Sequence, residues 1–287
     1  MNGFCIYVKK RIMKNSIAAI VFSGFVIVSC KKTENSSTET VTNDSVHANT
    51  FTVDSVKVND SLKLSDSLKI KYSSTMLVFP DIKDKMLLDS IYFGQKNISD
   101  FSKNGIQAWL QKDKNNYFNN IKKDSKDWLS DMNFSQEWYS DTSMKLKSRL
   151  NDYLHIQYTW GSYEGGAHDN YGFSERVFDL KNNKQLQLKD ITSMPASKIE
   201  AMLRKNINKI NSGTTDNNGA VNNSEMLLVD VIPATENFYF DGKNIYFHYS
   251  PYEIAAFAAG DITIPVSWVE LKGTINSEFE KRMNISY

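Results

Sequence analysis

Apolar and polar residues alternate strictly along residues 154–160, in the order Leu-His-Ile-Gln-Tyr-Thr-Trp. Successive side chains of a β-strand point to opposite faces of its sheet, so the four apolar residues share one face and the three polar residues share the other. In a helix the two sets would mix on every face. The pattern therefore predicts a strand, and it places a sheet with an apolar face at the centre of the fold.

Other segments repeat this alternation or show the helical spacing of apolar residues. Strands are predicted at residues 76–79, 144–150, 173–180, 185–188, 238–240, 245–249 and 261–266. Helices are predicted at residues 82–95, 106–132 with a break near Asp124, 197–210, and at the C-terminus. The turns at residues 181–184 and 241–242 connect adjacent strands as hairpins. Helices that precede and interrupt an antiparallel sheet indicate the α+β class, with the helices packed on one side of the sheet.

The N-terminus has the pattern of a secretory signal peptide. A basic region at residues 9–14 precedes an apolar run at residues 17–28. That run is shorter than the about 20 residues that a membrane-spanning helix needs.

The apolar run ends in Ile-Val-Ser-Cys30, which resembles a bacterial lipobox, whose cysteine becomes lipidated. The pattern predicts a signal peptide over residues 1–29 and a lipid anchor on Cys30. The alternative is an ordinary signal peptide with an incidental cysteine. We expect an envelope protein on the outer or the inner membrane, either periplasmic or surface-exposed.

Cleavage before Cys30 would change both the thiol content and the charge of the chain. Cys5, the second of two cysteines, would leave with the signal peptide, so no disulfide would remain. The first 29 residues carry four basic groups and no acidic group, which leaves 30 basic against 33 acidic groups and a net charge of −3. A nucleic-acid-binding protein needs a basic surface, so this charge argues against nucleic acid as a partner.

A polar segment at residues 30–68 contains a repeated Asp-Ser-aliphatic unit. Its Ser, Thr, Asn and Asp content predicts a disordered linker, because it offers too little apolar surface to fold alone. The unit resembles the O-glycosylation signal of secreted Bacteroidota proteins. The candidate serines are Ser45, Ser55, Ser61 and Ser67. The alternative is a low-complexity tether whose last copy pairs as an edge strand.

The stretch YTWGSYEGGAHDNYG at residues 158–172 combines aromatic residues, a glycine turn and a histidine. Gly165 and Gly166 predict a turn with unusual backbone angles. His168, with Tyr163, is a candidate for ligand contact; a structural role, in which His168 bonds a neighbouring strand, explains it as well. Its neighbour Asp169 would point away from it on an extended segment. We find no short spacing of metal ligands and no phosphate-binding loop, so the sequence predicts neither a metal nor a cofactor.

Two long segments carry a family resemblance. They are SYEGGAHDNYGFSERVFDLKNNKQLQLKDI at residues 162–191 and NFYFDGKNIYFHYSPYEIAAFAAGDITIPV at residues 237–266. They resemble the C-terminal extracytoplasmic domain of the RsiV-like family, domain of unknown function 3298. The resemblance extends over about residues 70–272, and it includes an upstream 4163-like domain that opens near Val78-Phe79-Pro80. Members of this family include anti-sigma factors whose outer domain binds lysozyme, fusions to polysaccharide deacetylases, and free-standing lipoproteins.

The resemblance implies an N-terminal α+β subdomain at residues 69–150 and a C-terminal RsiV-like domain at residues 151–287. The metal-binding residues of the deacetylases are missing from this sequence. The resemblance therefore implies a non-catalytic envelope protein of the Bacteroidota lipoprotein type. Its expected partner is a lysozyme-type protein or peptidoglycan.

Pro251, Tyr252 and Glu253 are the strongest candidates for contact with that partner. Proline fixes the backbone where the chain leaves a strand, and tyrosine is a favoured interface residue. The alternative is that Tyr252 packs into the core. A second function remains open, namely a wall-glycan hydrolase with Glu164 and Glu175 as its carboxylates. Glycosidases use two carboxyl groups about 5 to 10 Å apart across a cleft.

Overall fold

The computed structural model describes residues 39–40, 51–95, 97–217 and 219–287. The strands of these ranges are β1 (Glu39–Thr40), β2 (Thr52–Lys63), β3 (Leu68–Val78), β4 (Gln136–Leu150), β5 (Tyr153–Tyr163), β6 (Asn170–Asp179), β7 (Lys184–Gln185), β8 (Thr215–Asp216), β9 (Gly219–Ala220), β10 (Phe238–Phe240), β11 (Asn244–Tyr249) and β12 (Ile262–Ser267). The helices are α1 (Lys85–Ile91), α2 (Lys103–Asp124), α3 (Leu188–Ile191), α4 (Ala196–Asn206) and α5 (Ser277–Met283).

Strands β1 to β7 form one sheet in sequence order. Neighbouring strands are antiparallel except β3 and β4, which run parallel. Parallel neighbours need a long crossover connection, and here it contains α1 and α2. A smaller antiparallel sheet has the order β10-β11-β12. Mostly antiparallel sheets with few helices confirm the predicted α+β class.

The large sheet has a hydrophobic cluster on each face, and β5 contributes to both. Leu154 and Ile156 belong to the cluster that packs α1 and α2 on the sheet. Tyr153 belongs to the cluster of the small sheet, α4 and α5. The helices therefore pack on both faces of the large sheet, and not on one side as predicted. Residues 153–156 are therefore all buried, because this part of β5 is covered on both faces. The predicted strand at residues 154–160 is confirmed.

The prediction of a disordered linker over residues 30–68 is wrong for residues 52–63, which form β2. This strand pairs antiparallel with β3 from Asp54 to Lys63, and its Val56 and Val58 are buried. The composition misleads because β2 is stabilised by its neighbours, β3 and α2, and not by its own apolar content. Cys30 and Ser45 lie outside the described residues.

The predicted boundary between residues 150 and 151 falls inside the large sheet. Strands β4 and β5 lie on either side of it and pair antiparallel from Tyr139–Tyr163 to Leu150–Tyr153. The two predicted parts therefore share one sheet, although each has its own hydrophobic cluster.

Several element boundaries also differ from their predictions, and two of these differences change the type of structure. Helix α2 ends at Asp124, and the apolar residues that suggested its continuation lie in a turn around Leu129. The strand predicted at residues 185–188 ends at Gln185, and α3 begins at Leu188. The Asp190 carboxylate of α3 accepts from the Gln187 N–H. In the part of the chain that the structure describes, no helix combines the length and apolarity needed to cross a membrane.

Candidate functional site

Four aromatic side chains bring together the β5–β6 turn and the loop after β11. The His168 ring stacks on the Phe257 ring, with centroids 4.1 Å apart and planes 20° apart. The Tyr252 hydroxyl lies 3.2 Å from His168 Nε2, and Tyr171 meets Phe257 edge-on at 5.5 Å. We name His168, Tyr171, Tyr252 and Phe257 the aromatic rim. Two of the predicted contact residues, His168 and Tyr252, thus touch although 84 positions separate them.

The outer part of the aromatic rim is accessible to solvent. Tyr252 is 56% exposed, and His168 is also exposed. Tyr171 and Phe257 are half-buried and support the outer rings. The alternative in which Tyr252 packs into the core is therefore wrong. A tyrosine in this position offers a large apolar face together with a hydrogen-bonding hydroxyl.

The turn that carries Tyr252 has an unusual backbone. Tyr252 has a φ of 69°, in the left-handed region that bulky residues rarely adopt. Its amide donates to the Ala255 carbonyl at 3.1 Å, and the Glu253 carboxylate accepts from the Ser250 N–H at 2.9 Å. Such a conformation costs on the order of 1–3 kcal/mol and occurs preferentially at ligand-contact sites. Pro251 precedes this residue, and the turn that follows holds the Tyr252 ring outside the core.

The β5–β6 turn is organised by its glycines and by Tyr163. Gly165 and Gly166 have φ angles of 93° and 111°, which confirms the predicted unusual angles. The Tyr163 hydroxyl donates to the Gly166 carbonyl at 3.1 Å. Tyr163 therefore braces the turn from a half-buried position. It supports the aromatic rim without belonging to it.

His168 bonds within its own loop and to Tyr252, and not to a neighbouring strand. Its Nδ1 lies 2.6 Å from the Asp169 carbonyl oxygen, so Nδ1 must carry a proton and donate. In the neutral ring Nε2 is then the acceptor, and the Tyr252 hydroxyl donates to it. This pair of hydrogen bonds fixes the orientation of both rings.

The aromatic rim lies in acidic surroundings. The sequence has no Lys or Arg from residue 150 to 175 or from residue 244 to 271, the two segments that form the aromatic rim. The Tyr139 hydroxyl donates to the Asp169 carboxylate at 2.8 Å. Burial raises the pKa of Tyr171, and the negative charges of Asp261 and Asp169 raise it further. The two segments that form the aromatic rim therefore carry acidic side chains and no lysine or arginine.

A buried charged cluster adjoins the aromatic rim through Phe173. The Phe173 ring contacts Tyr171 edge-on at 5.9 Å and the His248 ring at 4.9 Å. Glu175, two positions further along β6, is only 2% exposed. A buried carboxylate is strongly unfavourable unless hydrogen bonds compensate its lost hydration, so its partners decide its role.

Three side chains satisfy the Glu175 carboxylate. His155 Nε2 lies 2.6 Å from Oε2, whereas His248 Nδ1 and Gln157 Nε2 lie 2.8 Å and 2.7 Å from Oε1. Burial alone would raise the pKa of Glu175, but these hydrogen bonds outweigh it and lower the pKa to about 2. Glu175 is therefore a buried anion that joins β5, β6 and β11.

His248 bridges two carboxylates and is therefore an imidazolium. Its Nδ1 lies 2.8 Å from Glu175 and its Nε2 lies 2.9 Å from Asp261. A neutral imidazole has only one N–H, so both bonds form only in the protonated ring. Burial lowers the pKa of His248, but the hydrogen bonds to Asp261 and Glu175 prevail and raise it to about 9. The hydrogen bond from His248, together with its charge, lowers the pKa of Asp261 in turn.

The structure does not bring Glu164 and Glu175 together as a catalytic pair. Glu175 is buried and fully bonded, whereas Glu164 is exposed on the β5–β6 turn. A glycosidase requires both carboxyl groups to face the sugar, and Glu175 has no surface to offer it. In the described ranges, no group of three or more His, Cys, Asp or Glu residues is arranged to hold a metal ion.

The candidate serines of the polar segment are not equivalent. Ser55 and Ser61 lie on β2, and the Ser67 hydroxyl donates to the Met132 carbonyl at 3.0 Å. Ser61 is exposed, whereas Ser55 and Ser67 are half-buried. Their modification remains a prediction, but the premise of an exposed linker does not hold for these three.

The comparisons with known proteins give one family model and two solved structures. Residues 181–269 match the family described as "Protein of unknown function (DUF3298)". A crystal structure of a DUF3298 family member from Bacteroides fragilis NCTC 9343 has a TM-score of 0.66 and 19% sequence identity, over 80% of this chain and 96% of that chain. A DUF3298 family protein from Pseudomonas aeruginosa PAO1 has a TM-score of 0.49 and 13% identity, over 78% of this chain and 95% of that chain. A comparison with curated proteins gives no match. This chain therefore contains a DUF3298 domain at residues 181–269 and shares the fold of the B. fragilis family member.

Proposed function

We propose that this protein is a lipid-anchored binding protein of the cell envelope, which recognises a lysozyme-type protein through its aromatic rim and performs no catalysis. The observation that carries the proposal is the exposed Tyr252 ring, held outside the core by a strained turn and oriented by His168. Exposed tyrosines held in one orientation are typical of protein interfaces, because they bury much area at little entropic cost.

The charge around the aromatic rim favours a basic protein over peptidoglycan as the partner. Asp169 and Asp261 lie near Tyr171, and Glu253 follows Tyr252 directly. Peptidoglycan carries free carboxylates on its peptides, which these acids would repel. A basic protein surface would gain from the same charges, mainly in the rate of association. The family resemblance supplies a lysozyme-type protein as the candidate of this kind.

The anchor in this proposal is Cys30, and its support comes from the sequence. A basic region and an apolar run precede this cysteine. Acyl chains contribute membrane affinity of about 0.8 kcal/mol per buried methylene group. Lipidation would hold the aromatic rim at a membrane, where it could meet a partner that arrives from outside the cell.

The test is a calorimetric titration of the purified protein with lysozyme. We expect binding, and we expect Tyr252→Ala to weaken it about thirtyfold, because an exposed aromatic anchor typically contributes about 2 kcal/mol. Tyr287→Ala is the matched control, since Tyr287 is 46% exposed and its ring contacts Lys272, which is not part of the aromatic rim. The thermal midpoint of Tyr252→Ala should stay close to that of the unmodified protein.

Two results would contradict the proposal. If lysozyme does not bind and peptidoglycan sacculi retain the protein, the ligand is wall glycan. If Tyr252→Ala and Tyr287→Ala have equal effects, the aromatic rim is not the contact surface.

A further inference from the structure

The large sheet has one face without a packing partner, which is the face of β2, β3 and β4 that points away from α2. Asp54 and Asp60 of β2 bind Lys103 and Lys114 of α2, each at 2.8 Å. The even-numbered residues of β2 therefore face the helix, and the odd-numbered residues face away from it. No residue of β2 or β3 belongs to the hydrophobic cluster of the small sheet, so that sheet leaves this face uncovered. We name it the open face.

The open face collects lysines, although the chain from Cys30 onward carries a net charge of −3. Its lysines are Lys57, Lys63, Lys69, Lys71, Lys145 and Lys147. Its acidic residues are Glu137 and Asp141, with Asp66 in the turn between β2 and β3. The two segments of the aromatic rim have no lysine or arginine at all. Positive charge is therefore concentrated on one surface of the protein, which composition alone does not explain.

Only half of these lysines are neutralised by a neighbour. Glu137 lies 2.5 Å from Lys71 and 3.6 Å from Lys69, and Asp66 lies 2.6 Å from Lys63. The other three have no carboxylate within 4.0 Å in the described part of the chain. They are Lys57, Lys145 and Lys147.

Lys145 and Lys147 line a cleft of about 530 Å³ on the open face. Two hydroxyl groups, of Ser55 and Thr75, line it as well. The one acidic residue of the lining is Asp54, whose carboxylate already binds Lys103. The charge that a ligand meets in this cleft is therefore positive.

A β-bulge places Lys147 at the cleft. The pairing of β4 with β5 shifts between Leu146 and Ser148, which leaves Lys147 without a partner residue on β5. Such bulges aim a side chain in a direction that a regular strand would not give it. The bulge therefore brings a second ammonium group to the cleft that Lys145 lines.

The lining of the cleft selects an anion that has an apolar part. Lysines and hydroxyls supply hydrogen-bond donors, and lysine binds phosphate as a point charge. Val53 and Leu77 add a buried apolar surface beside these donors. A wholly apolar ligand would remove the two lysines from water without compensation. A phosphodiester with glycerol carbons next to it, as in a lipid headgroup, matches both parts.

The path of the chain favours a membrane lipid over a soluble anion. Glu39 of β1 pairs with Val53, which lines the cleft. Cys30 precedes Glu39 by nine positions, and nine residues reach at most about 32 Å. A lipid on Cys30 would therefore hold the cleft close to the headgroups. Such a tether raises their effective concentration, so that a weak site suffices.

We propose that this cleft, with Lys57 beside it, is a docking site for anionic lipid headgroups of the membrane that holds the anchor. The inference rests on the lipid anchor of the proposed function. Tyr139, whose hydroxyl binds Asp169 near the aromatic rim, lies eight residues before Lys147 on β4. Eight residues of a strand span about 26 Å. Docking at the cleft therefore leaves the aromatic rim free to bind its partner.

The experiment is co-sedimentation of the unlipidated chain, residues 30–287 with Cys30→Ser, with lipid vesicles at low salt. This chain keeps every residue that the structure describes. It is produced in a host that does not glycosylate it, because Ser55 lines the cleft. One set of vesicles contains equal parts of phosphatidylglycerol and phosphatidylcholine, and the other contains phosphatidylcholine alone. We expect binding to the anionic vesicles only.

The test variant combines Lys145→Gln with Lys147→Gln. Each lysine near an anionic surface contributes roughly fivefold to binding, so we expect the pair to weaken binding about 25-fold. The matched control combines Lys122→Gln with Lys123→Gln, which removes the same charge. Both control residues are exposed in the last turn of α2, on the other face of the sheet.

A loss of binding in the test variant, with little change in the control variant, supports the site. The inference is overturned if both kinds of vesicle bind equally, or if the two variants have equal effects. It is also overturned if inorganic phosphate, at the concentration of the lipid phosphate, displaces the protein, because the cleft then binds free phosphate. Lysozyme binding and lipid labelling of Cys30 are measured separately, so a failure of docking is distinguishable from a failure of the proposed function.

Discussion

The charge of His248 should make the stability of the protein depend on pH in the alkaline range. Its pKa is about 9 in the folded state, compared with 6.5 for an unperturbed histidine. A group whose pKa is raised by folding stabilises the fold fully below its unfolded pKa, and loses that contribution as the pH rises through its folded pKa. The contribution of His248 should therefore be complete below pH 6.5 and should disappear as the pH rises through about 9.

The magnitude follows from the size of the shift. Each pKa unit corresponds to about 1.4 kcal/mol, so the imidazolium contributes on the order of 3 kcal/mol to the free energy of unfolding. The structural cause is the loss of one N–H. A neutral His248 can donate to Glu175 or to Asp261, but not to both. One of the two carboxylates then loses its hydrogen bond to His248, and the buried Glu175 loses the neighbouring positive charge.

The assay is urea unfolding of the unmodified protein and of His248→Gln at a series of pH values from 6 to 10. Glutamine cannot titrate, so the difference in unfolding free energy between the two proteins isolates the histidine. Buried tyrosines and surface lysines titrate in both proteins, and their contributions cancel in this difference. We expect the difference to fall by about 3 kcal/mol over the range. A difference that stays constant with pH would show that folding does not raise the pKa of His248, and the assignment of two donated hydrogen bonds would be wrong.

Three further predictions concern other parts of the chain. Cys30→Ala should release the protein from membranes or stall it as a precursor, and absence of palmitate labelling in the unmodified protein would refute lipidation. If the Asp-Ser units are glycosylated, the native protein should exceed its calculated mass, and joint replacement of Ser45, Ser55, Ser61 and Ser67 by alanine should restore that mass. Arg282→Gln should lower the free energy of unfolding by about 3 kcal/mol, because the almost fully buried Asp179 carboxylate, 2.8 Å from the guanidinium, would lose its charged partner. The measurement is urea unfolding, with Lys272→Gln as the surface control. A loss below about 1 kcal/mol would contradict the prediction.

The sequence predicted the parts of the fold that depend on local periodicity. The alternation at residues 154–160 predicted β5, and the spacing of apolar residues predicted α2 as far as Asp124. The strand at residues 52–63 was missed because its stability comes from β3 and α2, which no local composition reveals. Residues 52–63 also have apolar residues two positions apart, and this alternation predicts the strand better than the composition does.

The candidate site was predictable only where a residue type is unusual for its surroundings. The glycine pair and the Pro-Tyr dipeptide pointed to two loops, and the structure joins them through His168 and Tyr252. Phe257 gave no signal, since an aromatic residue in an apolar segment is ordinarily part of a core. The sequence was misleading for Glu175, which was considered as a catalytic carboxylate. A sequence does not reveal that the partner of this carboxylate is His248, 73 positions away.

The buried Glu175 cluster and the exposed aromatic rim perform different tasks. The contact between them explains why binding is a better proposal than catalysis. The Glu175 cluster uses all of its hydrogen-bonding capacity within the fold, because His155, His248 and Gln157 occupy the carboxylate. A catalytic group needs capacity left over for a substrate. The cluster instead fixes β6 against β11, the strands from which the two loops of the aromatic rim extend. An interface needs rigid support beneath its exposed rings, because little conformational entropy is then lost when a partner binds them. The buried charges therefore stabilise the strands that carry the exposed Tyr252 ring.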